Sequence, residues 1–222
     1  MSSSIGVVVF PGTNCEHDVV RALTLLGAKA ELVWHGDSEL GDRAAIVLPG
    51  GFAHGDYLRP GAIARFSNIM SSVVKLANSG RPVLGICNGF QVLTEVGLLP
   101  GALQKNSGLR FICSTTKLSV VSSRSFATST VEVGQVISLP INHFEGNYTC
   151  DAATHHALVE NDQIVLRYVE NPNGSVDSIA AICNEAGNVV GMMPHPERAI
   201  EELLGGTDGR SIFEGLIAAA GF

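Results

Sequence analysis

The sequence predicts an α/β fold: an open, mostly parallel, doubly wound sheet with helices on both faces, extended by antiparallel strands in its second half. Three observations predict it. Short, unbroken apolar runs of strand length recur through the first half, and continuous runs of this kind suit strands covered on both faces. Stretches with the apolar spacing of a helix separate these runs. The second half then changes to alternating hydroxyl and apolar residues, the pattern of antiparallel strands.

Taken in order, residues 5–10 read as a buried strand, and 16–26 as a helix closed by Gly27. Residues 29–34 form a second strand, and 44–48 a third that stops at Pro49-Gly50-Gly51. The span 59–78 carries apolar residues at 63, 66, 70, 73, 74 and 77, one helical face, with Gly80 as its C-cap. A fourth strand over 82–86 runs into a short helix over 88–96. Beyond it, 110–121, 129–133 and 135–141 read as antiparallel strands. Residues 179–183 and 189–193 flank Asn184-Glu-Ala-Gly-Asn as a hairpin, and 208–220 closes the chain as a helix. In a doubly wound sheet, chemistry gathers at the carboxyl ends of the strands. Those ends are Phe10-Pro-Gly-Thr-Asn, Pro49-Gly-Gly-Phe and Cys87.

Composition narrows the function. The 222 residues are 45% hydrophobic and 16% charged, enough to bury a core, and no repeat or low-complexity linker divides 1–222 into more than one domain. Apolar runs fall far short of the roughly 18 residues needed to cross a bilayer. The N-terminus lacks a basic leader, so the expected location is cytoplasmic. Net charge is −7 and the Lys and Arg residues are scattered, which argues against a nucleic-acid partner. The five cysteines, at 15, 87, 113, 150 and 183, are odd in number and form no C-x-x-C pair, so neither a disulfide framework nor a metal site is expected.

Gly85-Ile86-Cys87-Asn88-Gly89 is the G-x-S-x-G elbow with sulfur in place of oxygen. A strand bends sharply into a helix, the central residue projects from the bend, and the helix N-terminus favours a thiolate. The same five residues also fit a plain Gly-rich strand end holding a buried cysteine. A thiolate needs a proton carrier, and of the seven histidines His195 is singled out by Pro194-His195-Pro196-Glu197. Two prolines stiffen the backbone there, and Glu197 falls where it can hold the second ring nitrogen. Read alone, Pro-His-Pro is equally a rigid exit loop, and His155-His156 reads as surface. Glycines 50 and 51, with Phe52, follow a strand and can turn N–H groups toward an oxyanion, as can the N–H of Asn88. No G-x-x-x-x-G-K-[ST] and no G-x-G-x-x-G is present to cradle nucleotide phosphates.

The cysteine elbow, the upstream Pro-Gly-Gly and the downstream His-Pro-Glu together resemble the class I, or triad, glutamine amidotransferases, whose fold is flavodoxin-like. The blocks FPGTNCEHD (10–18), LPGGFAHGDYLRPGAIARFS (48–67), LGICNGFQVLTEVGLLPGAL (84–103), RYVENPNGS (167–175) and GMMPHPERA (191–199) narrow the resemblance. They are similar to the glutaminase subunits of phosphoribosylformylglycinamidine synthase, cytoplasmic proteins of purine biosynthesis. The resemblance implies Cys87 as nucleophile, His195 as acid and base, and Glu197 as its orienting carboxylate. It also implies Gly51, Phe52 and Asn88 as oxyanion donors, and Gln91, His143 and Glu145 as contacts to bound L-glutamine. A large synthetase subunit that uses ATP and Mg, and a small bridging subunit, are the implied partners; this chain itself needs no cofactor. The block around Ile141-Asn142-His143-Phe144-Glu145-Gly146 departs from the family, which more often has Gly where Phe144 stands. Phe144 constrains the loop if φ is positive there.

Two other functions fit the residues. A free-standing cysteine hydrolase acting on peptides or γ-glutamyl chains would use the same elbow. A glutamine-binding sensor would keep the fold without needing Cys87, His195 and Glu197 intact. Cys15 is the rival thiol, since it too follows a first strand and a Pro-Gly turn.

Overall fold

The computed structural model describes residues 4–222; residues 1–3, part of the N-terminus read above for a leader, lie outside it. Its centre is a nine-stranded sheet. In chain order the strands are β1 (Ser4–Val9), β2 (Ala30–Trp34), β3 (Arg43–Leu48), β4 (Val83–Ile86), β5 (Ala102–Gln104), β6 (Ile112–Val120), β7 (Val136–His143), β8 (Asn147–Thr149), β9 (Ile164–Tyr168), β10 (Ile179–Cys183) and β11 (Val189–Met192). The helices are α1 (Glu16–Leu25), α2 (Asn68–Asn78), α3 (Asn88–Glu95), α4 (Ala152–Glu160) and α5 (Arg210–Ala219).

The spatial order is β2-β1-β3-β4-β11-β10-β9-β6-β7, with β5 and β8 forming a separate antiparallel pair. From β2 to β11 the neighbours are parallel, and from β11 to β7 they are antiparallel. The chain leaves β1 toward one edge and leaves β3 toward the other. Right-handed crossovers therefore put α1 and α2 on opposite faces. The reversal between β1 and β3 is a switch point, where a crevice opens at the strands' carboxyl ends. Buried Val, Ile and Leu of β1, β3, β4 and β11 form the core beneath it.

Several elements differ from the sequence reading. The helix expected over 59–78 begins only at Asn68, after Ser67 with extended backbone (φ −63°, ψ 142°). Before it, Gly61 takes φ +78° with its Cα against the α3 backbone; a Cβ there would lie 2.8 Å from the Gln91 carbonyl carbon. Residue 66, placed on the apolar face, is an exposed phenylalanine. The span 129–133 holds a turn rather than a strand, following a short 3-10 helix, Phe126–Thr128. Strand β9 and helix α4 have no counterpart in the sequence reading. His155 and His156 sit on α4, half-buried and exposed respectively.

Gly89 shows how tightly α3 is seated. A Cβ at that position would lie 1.9 Å from the Leu48 carbonyl oxygen on β3, a backbone contact that cannot give way. We expect Gly89→Ala to cost about 3 kcal/mol or more through overpacking. Thermal unfolding checks this, with Gly108→Ala as control, since a Cβ at Gly108 meets nothing within 4 Å.

Candidate active site

The end of β4 explains why a cysteine stands between two glycines. Cys87 has φ 50° and ψ −104° and is the N-cap of α3, so the chain turns from strand to helix within one residue. Positive φ on a non-glycine residue costs of order 1–3 kcal/mol and persists only where its surroundings enforce it. Here the N–H of Cys87 donates to the Met192 carbonyl (2.7 Å), tying the bend to β11. A Cβ on Gly85 would lie 2.7 Å from the Gly89 carbonyl carbon, so the two glycines let strand and helix backbones touch. The Cys87 Sγ is directed to the Asn142 carbonyl at 3.8 Å.

His195 arrives by register. In β11, Met192 pairs with Ile86 of β4, so the residues just beyond both strands emerge side by side. The His195 N–H donates to the Pro140 carbonyl (2.8 Å), anchoring the turn to β7. Its Nδ1 and Glu197 Oε1 are 2.6 Å apart, and both residues are 1% exposed. Burial opposes charge on the ring, but the Glu197 carboxylate and the nearby thiols of Cys87 and Cys15 outweigh it. The proton affinity of His195 is therefore raised well above the ordinary histidine value. Nε2 is left without a hydrogen-bond partner.

Cys87 and His195 open on one pocket, which Cys15, Gly51, Phe52, Gln91, His143 and Glu145 also line. Gln91 is 5% exposed; its Nε2 donates to the Glu145 carbonyl (2.6 Å) and its Oε1 accepts from Asn88 Nδ2 (2.8 Å). It thus fastens the loop after β7 to α3. Asn106 Oδ1 accepts from the Gly146 N–H, so the 3.1 Å contact with His143 Nδ1 places the ring proton on Nδ1. Nε2 of His143 is bare and unpartnered. Burial first, then the charge of His195, push the His143 pKa down to about 4, so the ring is neutral at pH 7. Phe144 is not among the residues with positive φ, so it imposes no backbone strain. The glycine that matters in this loop is Gly146, where a Cβ would collide with the His143 ring.

The oxyanion donors need correction. The Phe52 N–H donates to the Gly12 carbonyl (2.9 Å), so it is already committed and is not a donor in this structure. Gly50 leaves room for the imidazole: a Cβ there would lie 2.7 Å from Cε1 of His195. The candidates that stay open are the amide of Gly51, at φ +151° and packed on the Thr13–Asn14 backbone, and that of Asn88 in the first turn of α3.

Two residues stand out that the sequence reading left without a role. Arg198, directly after His195-Pro196-Glu197, places Nη2 3.2 Å from the Sγ of Cys15. Asp56 enters from the turn after β3 and accepts from Asn88 Nδ2 (3.2 Å). Cys15 itself is 1% exposed, and its Sγ lies 3.2 Å from Asn14 Oδ1. Atoms of Cys15, His195 and Glu197 lie within 4.8 Å of one another, a metal-like spacing. Yet Nδ1 and the carboxylate hold each other, and a guanidinium already caps the sulfur. The cluster is arranged for proton transfer.

A thiol at a strand-to-helix elbow, beside a buried imidazole–carboxylate pair, can carry an acyl group on sulfur and shuttle the protons this requires. That chemistry defines a cysteine-dependent acyl-transfer class. Residues 2–205 match the model of the CobB/CobQ-like glutamine amidotransferase domain, and the chain belongs to that family. The solved structure of PurLQS from Thermotoga maritima is similar at a TM-score of 0.90 and 44% identity, covering 98% of this chain and 99% of that one. A Thermoplasma acidophilum protein assigned to GMP synthase shares the fold at a TM-score of 0.67 and 20% identity, over 99% of this chain and 95% of that one. A glutamine amidotransferase from Thermotoga maritima does so at 0.61 and 14%, over 99% and 96%.

Proposed function

We propose that this chain is the glutaminase subunit of a phosphoribosylformylglycinamidine synthase, supplying ammonia for purine biosynthesis. The carrying observation is the buried His195–Glu197 pair opening on the same pocket as Cys87, in a chain 44% identical to a PurLQS structure. Cys87 yields its thiol proton to the His195 imidazole and attacks the side-chain carboxamide carbon of glutamine. The developing oxyanion is met by the amides of Gly51 and Asn88. His195, held by Glu197, gives its proton to the departing ammonia and leaves a γ-glutamyl thioester. The same imidazole then takes a proton from water, which attacks the thioester and releases glutamate. Gln91, His143 and Glu145 form the wall that receives the rest of the substrate.

Ammonia passes to a large synthetase subunit, where ATP and Mg activate the formyl amide oxygen that nitrogen replaces, with a small bridging subunit completing the assembly. The missing phosphate loop in this chain fits that division of labour. Among the described residues no helix is long and apolar enough to cross a membrane. The test is glutamine hydrolysis with and without the synthetase and its substrates. Slow turnover alone and a marked rise on addition are expected. Equal rates in both conditions would remove the subunit role. Cleavage of peptides or γ-glutamyl chains without glutaminase activity would replace it with the hydrolase reading.

A further inference from the structure

The Asp56 carboxylate has no use in the thiol chemistry, yet its placement is closely specified. The turn that carries it has three non-glycine residues at positive φ within five positions: His54 at 54°, Asp56 at 52° and Leu58 at 69°. Strain of that kind marks a segment held in place by its surroundings. The holder is Asn88, the residue after the nucleophile. Its Oδ1 accepts from the Ala53 N–H (3.0 Å), and its Nδ2 donates to both Asp56 (3.2 Å) and Gln91 (2.8 Å). Every polar group of that amide is spent on fixing Asp56 and Gln91 relative to Cys87.

Across the pocket stands a second acid, Glu145, on the loop that Gln91 latches. The charge that Asp56 feels is that of Glu145, with no cation to balance it. Two carboxylates facing one cavity without a counter-ion make a receptor for a cation. The same cavity is lined by His143 and His195, both buried, each with an unpartnered Nε2. The site is thus built but unsatisfied on its own. The reacting carboxamide of glutamine is neutral. The cation it brings is the α-ammonium, at the far end of a short chain from the carbon that Cys87 attacks.

We propose that Asp56, with Glu145, receives the α-ammonium group of glutamine and so makes the pocket select an α-amino acid over other primary carboxamides. The assignment rests on the glutaminase reading and adds a specificity residue to it. Arg198, the cation of the same pocket, is engaged with Cys15 and leaves the acidic wall unneutralised.

Ionisation follows the same geometry. Burial first, then the charge of Glu145, push the Asp56 pKa up to about 6, against the hydrogen bond from Asn88. The groups acting on it are Glu145 from the loop after β7 and the uncharged Asn88 from α3, and Gln91 and Arg198 line the same pocket. His143 across the cavity is neutral above about pH 4. Below about pH 6 Asp56 protonates, and its hold on an ammonium group weakens.

The experiment pairs Asp56→Asn with glutamine and with glutaramate, the analogue in which hydrogen replaces the α-ammonium, using the chain assembled with its synthetase. Glutaramate is read by its competitive inhibition constant. We expect the variant to raise the KM for glutamine by about 30-fold, the size of a lost charged hydrogen bond. Its effect on glutaramate should stay within about 2-fold, because that ligand never made the contact. The wild-type chain supplies an independent arm that needs no variant to fold. Its KM for glutamine should climb as pH falls below about 6, while the glutaramate constant stays flat. An unchanged KM, or equal weakening of both ligands, overturns the assignment. Failure of an electrophilic glutamine analogue to label the wild-type chain would instead sink the glutaminase reading itself.

Discussion

Cys87→Ala is expected to reduce glutamine turnover by about 10⁴-fold or more, because the covalent route closes and no other group can carry the acyl intermediate. Binding should survive. The pocket wall built by Gln91, His143 and Glu145 is untouched, and Cys87 contributes only one weak contact, 3.8 Å from the Asn142 carbonyl. Mass spectrometry after reaction with an electrophilic glutamine analogue should therefore place the adduct on the peptide carrying Cys87. Cys15 also faces His195, but its sulfur lies between Asn14 and Arg198, lacks an elbow, and is 1% exposed. An adduct on Cys15 in the wild-type chain would move the nucleophile and overturn the mechanism. Alanine keeps the Cβ, and with it the strain at φ 50°, so the melting point of the variant should change little.

Glu197→Gln is expected to lower kcat by about 10²–10⁴-fold with little change in KM, as happens when the orienting acid of such a pair loses its charge. The carboxylate accepts the Nδ1 proton and thereby leaves Nε2 facing the thiols. A carboxamide can offer an N–H instead and turn the ring to the wrong tautomer. Its loss also has a sign in pH. Burial disfavours the imidazolium, and Glu197 is the largest influence opposing burial. Without it the ring gives up its proton at lower pH, so the alkaline limb of the kcat profile should move down. A variant with normal kcat and an unshifted alkaline limb would show that Glu197 is only structural. A rise in KM as large as the fall in kcat would point to the substrate wall instead.

Much of this protein is visible in its residues, and the remainder is hidden for identifiable reasons. Strands β4 and β11 are buried along their length, and β1 and β3 over most of theirs, so short runs rich in Val, Ile and Leu announce them. Cys87 and His195-Pro-Glu197 are legible because the elbow and the stiffened turn are local devices. The early part of the expected helix over 59–78 fails for a tertiary reason, as Gly61 is pressed against α3. Helix α4 escapes notice because Leu158 is its one buried residue, which leaves no apolar stripe. Phe52 reads as a free amide from its neighbours in sequence, whereas Gly12 claims that N–H. Asp56 is the least legible. Its importance comes from Glu145, which approaches from a different loop, and no pattern along the chain records that approach.

The strand order has one further consequence. The nucleophile's strand β4 is completed by β11, whose pairing partner in sequence is more than a hundred residues away (Val83 with Val189). On a ribosome, every element up to β10 emerges while one side of β4 is still bare, and long-range closure of that kind is slow. The thiol is thus made long before its proton carrier, and a nascent or truncated chain has no means of releasing ammonia. Nitrogen is withheld until β11 has joined β4 and brought His195 beside the thiol.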